Sequence, residues 1–74
     1  MQRFGEKLRI LREQHDLTKT ALGQMLGHKT HTHVSALESG RKRPSLDLAL
    51  KIADLFEVDI NLLIRDNLEL SGSR

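Results

Sequence analysis

The chain reads as all-α, a bundle of five short helices, and three observations lead to that. Apolar residues recur at three- and four-residue spacing along the chain, with no stretch of strand-like alternation. Residues that favour helix starts (Thr18, Ser45, Asp59) stand just before apolar runs, and Gly27 and Gly40 stand just after others. The one proline, Pro44, falls between two such runs, where it interrupts nothing. With 74 residues there is room for one small core. A chain of that size buries only about 60% of the surface its unfolded form exposes. The pattern divides into a helical domain over residues 1–66 and a frayed tail over 67–74, ending Ser71-Gly72-Ser73-Arg74.

The first helix is expected over about residues 3–15, where Phe4, Leu8, Leu11 and His15 fall at i, i+4, i+7 and i+11 and share one face. Arg3, Lys7, Arg9, Arg12 and Glu13 take the other faces, and Ile10 lies off the main stripe. Asp16-Leu17 breaks the pattern, with Leu17 as an apolar anchor. Thr18 then caps a second helix through its hydroxyl, although Ala21 stands where a capping box would place Glu or Gln. Leu22 and Leu26 are that helix's buried stripe. Gly23 between them lowers helix propensity by about 1 kcal/mol relative to Ala, which makes sense where another helix crosses closely. Gly27 ends the helix in the left-handed conformation that glycine adopts without strain.

The third helix, about residues 30–39, has Val34 and Leu37 as its only large apolar residues. A stripe that narrow leaves most of the helix outward, a form suited to insertion into a groove. Pro44-Ser45 restarts the chain, with Ser45 as cap and Asp47 near the positive end of the helix dipole. Leu46, Ala49, Ile52, Ala53 and Phe56 make the inward face of this fourth helix, which ends at Glu57. Asp59 caps a fifth, with Ile60, Leu63 and Ile64 packing inward.

Composition narrows the function. With no cysteine, disulfides and thiolate metal sites are excluded. No apolar run approaches the ~20 residues of a membrane span, and Met1-Gln2-Arg3 leads into a helical pattern rather than a signal peptide, so a soluble, cytoplasmic protein is expected. Residues 1–43 carry nine Lys/Arg against four Asp/Glu, net +5, and residues 44–74 carry three against six, net −3, giving +2 for the chain. A basic front suits a polyanion, and an acidic back suits solvent or a protein partner. Two aromatic residues, neither Trp nor Tyr, argue against stacking on single-stranded nucleic acid. His28, His31 and His33 cluster, but His31 and His33 diverge on a helix and structural zinc needs four convergent ligands, so no metal or other cofactor is expected. No Ser-His-Asp set and no phosphate-cradling glycine loop is present, and the chain is not read as an enzyme.

The helices on either side of Gly27 read as a helix-turn-helix that presents its second helix to double-stranded DNA. Arg9, Arg12, Leu17-Thr18, Leu22, Leu26-Gly27, Val34-Ser35, Glu38, Gly40, Pro44-Ser45, Ile52-Ala53, Phe56, Val58 and Leu63 stand in an order that resembles the phage repressor/Cro-type helix-turn-helix family, the xenobiotic-response-element-type transcriptional regulators. The match covers residues 4–64, and Glu-x-Gly followed by a basic run and Pro-Ser is its most specific part. It implies the lambda-repressor-like fold of five helices and a sequence-specific regulator, a repressor by expectation. It also implies a homodimer on a palindromic operator, with the third helix in the major groove. The other reading is a protein-interaction module, such as an antitoxin whose acidic C-terminal half binds a partner protein, with DNA binding secondary.

Three departures stand out. Lys19 replaces the family's usual Gln, Gly23 its usual Ala, and Gly27 and Gly40 are thirteen apart rather than twelve. The spacing of Val34-Ser35 and Glu38 places the extra residue in the turn, among His28, Lys29 and Thr30. Counted on that register, the resemblance puts Thr30, His31, Thr32, Ser35 and Ala36 at base-reading positions. His and Thr can donate to or accept from base edges and a methyl can touch thymine. No Arg, Asn or Gln stands there, so DNA shape and bridging water are expected to carry part of the specificity. Lys19, Lys29, His33, Arg41, Lys42 and Arg43 are the expected phosphate contacts, flanking the reading helix. The resemblance pairs Arg12 with Glu38, an ion pair that would orient that helix. Family spacing leaves Leu48, Leu55 and Leu62, at seven-residue intervals, surplus to the core and available as a dimer interface.

Overall fold

The computed structural model describes residues 3–27 and 31–65. Five helices form among them: α1 (Phe4–Gln14), α2 (Lys19–Met25), α3 (Thr32–Ser39), α4 (Leu46–Phe56) and α5 (Ile60–Ile64). Residues 28–30, which hold His28, Lys29 and Thr30, and residues 66–74, which hold the expected tail, lie outside the described residues.

Three of the later helices, α2, α4 and α5, start where the sequence provides an oxygen for an orphan backbone donor. Thr18 Oγ1 accepts from the Ala21 amide at 3.0 Å, Ser45 Oγ from Leu48 at 3.1 Å, and Asp59 Oδ1 from Asn61 at 2.8 Å. Caps of this kind contribute about 1 kcal/mol each. The exits are as specific. Gly27 and Gly40 leave α2 and α3 with φ near +85° and +83°, while Asp16 and Glu57 adopt φ +55° and +56° with a side chain attached. Non-glycine residues occupy that region at a cost of about 1 kcal/mol or more.

Phe4, Leu8 and Leu11 of α1 meet Leu22 and Leu26, Val34 and Leu37 of α3, Ala49, Ile52, Ala53 and Phe56 of α4, and Leu63 of α5 in one core. Leu17, Val58, Ile60 and Ile64 pack at its margin. α1 is the central strut. It packs chiefly on α3 and also on α5, while α2 packs on α3 and α4 on α5.

The structure corrects the sequence reading at several positions. Lys7, expected on a solvent face, is 1% exposed. On a helical wheel it lies at the edge of the arc of Phe4, Leu8 and Leu11, next to Leu11, and its ammonium reaches out of the core to donate to the carbonyls of Leu62 (2.6 Å) and Arg65 (2.7 Å) at the end of α5. Leu46, assigned to the inward face of α4, is 61% exposed: it shares a face with Ala53 but is the first residue of the helix, a turn before the buried Ala49. His15 lies one residue past α1 and is exposed, its ring tilted against Phe56 at 4.8 Å and its Nδ1 2.9 Å from the Leu11 carbonyl. A close helix crossing is found at Gly5, which the sequence pattern did not single out. A Cβ there would sit 2.6 Å from the Glu38 carbonyl oxygen and closer still to that of Leu37.

Candidate nucleic-acid interface

α3 is held from both sides. On one flank Arg12 of α1 donates from Nε to Glu38 Oε2 at 2.6 Å and from Nη2 to Oε1 at 3.3 Å, a two-pronged ion pair. The same guanidinium donates from Nη1 to the Leu17 carbonyl at 2.8 Å, so one side chain ties α1 to the entry of α2 and to α3. Both partners are nearly covered, with side-chain exposures of 12% and 6%. The hydrogen bond to Glu38 holds the Arg12 guanidinium above its ordinary pKa against the opposing effect of burial, and the charges of Glu38 and Glu13 add to it. Pairing also neutralises the one carboxylate on α3, which would otherwise repel a polyanion.

On the other flank, α3 meets the start of α4. His33 is half-buried and lines a groove with Leu26, Lys42, Arg43, Leu48 and Lys51. Lys51, which no sequence pattern singles out, donates to the carbonyl of Leu26 at the end of α2 at 3.3 Å. His33 therefore sits beside Lys42 and Arg43, turned from the outward face of α3 toward α4. With Val34 and Leu37 buried, that outward face carries Thr32, Ser35, Ala36 and Ser39. His31 precedes it as the N-cap residue in a helical conformation, exposed and with no side-chain cap bond. The helix starts two residues later than expected, and of the five base-reading positions Thr30 lies outside the described residues.

Cations border this face on both sides. Lys19, the first residue of α2, is exposed and shares a polar groove with Arg9, Arg12, Glu13, Ser35, Glu38 and Ser39. Arg9, absent from the expected phosphate contacts, is held by Glu13 at 3.2 Å. At the far end Arg41 donates from Nε to Ser39 Oγ at 3.1 Å, and the Lys42 amide donates to the Ala36 carbonyl at 3.2 Å. The basic run is thereby fastened to the end of α3. Among the described residues Lys19, Lys42 and Arg43 have no carboxylate within ion-pair distance, which leaves their charges available. Lys29 lies outside the described residues. No group of three or more His, Cys, Asp or Glu side chains that could hold a metal ion occurs among the described residues. No helix there is long and apolar enough to cross a membrane.

Leu48 and Leu55 pack against the margin of the core, and Leu62 is half-buried too. The three leucines expected to be surplus surface are thus partly used by the fold. Among the described residues, the large apolar side chains most open to solvent are Leu46, Met25 (49%) and Leu50 (42%).

A family model described as helix-turn-helix matches residues 8–63 of the chain. The chain is also 44% identical over 54 residues to a protein of Methanocaldococcus jannaschii described as an uncharacterized HTH-type transcriptional regulator, an alignment that covers 73% of this chain and 80% of that protein. No solved structure matches.

Proposed function

Because the chain belongs to the helix-turn-helix family, we propose that it is a DNA-binding transcriptional regulator that reads the major groove of double-stranded DNA with α3. The observation that carries this is the outward face of α3. It is small and polar from Thr32 to Ser39, its one carboxylate is neutralised, and cations border it on both sides. A major groove about 12 Å wide admits a helix with such a face, while strands passing either side meet Lys19 on one flank and Arg41, Lys42, Arg43 and His33 on the other. His31, Thr32, Ser35 and Ala36 are the base-facing residues in this reading, with Thr30 and Lys29 completing the two sets from the turn.

The protein acts as a homodimer and as a repressor in this proposal. Half-buried Leu48, Leu55 and Leu62 gain burial if a second copy covers them, and two-fold pairing through α4 and α5 calls for a palindromic operator. A duplex selected from a random pool by the protein, then tested by mobility shift against a scrambled duplex, measures the discrimination. Equal affinity for both would refute sequence-specific reading. A reporter placed behind the selected site should fall in expression when the protein is made; a rise would reverse the assigned sign.

The exposed pair Leu46 and Leu50, one turn apart on α4 beside Asp47 and Asp54, favours a second reading, a module whose acidic α4–α5 half engages a protein. Charge reversal at Asp47 and Asp54 would then abolish co-purification of a stoichiometric partner while leaving the selected duplex bound.

A further inference from the structure

We propose that Gly5 is a positioning residue for base recognition, setting the height and tilt at which α3 stands on α1. The inference rests on α3 being the reading helix and adds a residue of α1, remote from that helix's outward face, to what determines specificity. The first turn of α1 abuts the last turn of α3, so the positive end of one helix dipole faces the negative end of the other. That contact is closed by backbone alone. A Cβ on Gly5 would meet the Glu38 carbonyl oxygen at 2.6 Å and its carbon at 2.9 Å, with the Leu37 oxygen nearer still. Ordinary contact begins at 3.4 Å, so even alanine requires the two backbones to part.

Relief cannot come from a side chain swinging aside, since every atom met is main chain. Nor can α3 simply retreat as a body. Seven residues along α1, on the same flank as Gly5, the Arg12–Glu38 pair grips α3, and Val34 and Leu37 are fixed in the core. A wedge at Gly5 therefore tilts α3 about those anchors and shifts the face that carries Thr32, Ser35, Ala36 and Ser39. Hydrogen bonds to base edges tolerate errors of only about 0.5 Å, whereas Lys and Arg reach phosphates on long flexible stems and follow the shift. Discrimination is lost before general affinity.

The test measures wild type and Gly5→Ala on a duplex selected by the wild type and on a scrambled duplex, at a temperature where circular dichroism finds both proteins helical. Tilting predicts that the affinity ratio between the two duplexes falls about tenfold or more, the value of one base-pair contact, while affinity for the scrambled duplex stays within about threefold. A purely structural role gives a different result. Partial unfolding lowers the competent fraction and weakens binding to both duplexes by one factor, leaving the ratio unchanged. That outcome overturns the proposal. If Gly5→Ala is unfolded by itself, the pair is compared in a Glu57→Gly background, which removes a strained φ far from α3. Failure to fold there too assigns Gly5 to the fold alone and likewise overturns it. A wild type that binds no duplex overturns the proposed function, a result separable from any effect at Gly5.

Discussion

Arg12 shows most directly how one residue can hold a functional surface without belonging to it. It is almost wholly covered, it serves Glu38 with two donors and Leu17 with a third, and an arginine stays charged at any pH a cell reaches. Arg12→Ala strands the Glu38 carboxylate, and leaving a part-buried charged group without its partner costs about 1–3 kcal/mol. Urea denaturation should show the midpoint falling accordingly; a loss below 1 kcal/mol would mean that water takes over the pairing. Glu57 is the opposite case. Its φ of +56° is one glycine holds without strain, so Glu57→Gly should raise unfolding free energy by about 1 kcal/mol. Single residues were readable in the sequence where their work is local. Thr18, Ser45 and Asp59 each cap within three residues of themselves, and the sequence pattern names all three. Arg12 and Glu38 are 26 residues apart, and only the family resemblance brings them together. Gly5 was unreadable because the carbonyls that crowd it belong to Leu37 and Glu38, far along the chain and beyond the reach of any local pattern.

Among the elements, α5 is the least able to stand alone. It has five residues, far below the length at which a helix holds itself together in water. Asp59 caps one end, and the ammonium of Lys7 satisfies carbonyls at the other. Lys7→Met keeps the stem in the core and removes those donors. Amide exchange in α5 should accelerate by about one to two orders of magnitude, the equivalent of roughly 1–3 kcal/mol for unsatisfied buried groups, while α2 and α3 stay protected. Equal acceleration across all helices would show that Lys7 stabilises the whole rather than this end. The helices themselves were legible to within a residue or two, because apolar spacing and caps agree. What hid was the environment of particular positions. Lys7 stands at the edge of the apolar arc, and its charge argued for solvent. Leu46 carried the right chemistry for the core but stands a turn before the buried Ala49.

For the whole molecule, the basic first half becomes geometry. Its cations collect around α3, with Asp47 of α4 lining the groove that His33, Lys42 and Arg43 share. Arg41→Ala or Arg43→Ala should weaken binding to every duplex alike and lower the slope of log affinity against log salt by about 1. A sequence-dependent loss would instead make either residue a base reader. Leu55→Lys should give monomers in sedimentation and weaken operator binding, with helical content unchanged; a wild type already monomeric at tens of micromolar would remove the interface. The Lys7 contacts with Leu62 and Arg65 also say something about time. They join points 55 and 58 residues apart, so α5 must have docked before they can exist, whereas α1, α2 and α3 already hold each other through Arg12 and the core. A bond that closes so long a loop is expected to form after the barrier, since the entropy of closing that loop is lost before the contact rewards it. In stopped-flow refolding, Lys7→Met should therefore leave the folding rate nearly untouched and appear almost wholly as faster unfolding. What Lys7 governs in that case is the lifetime of the native state: how long an assembled molecule keeps its last helix closed.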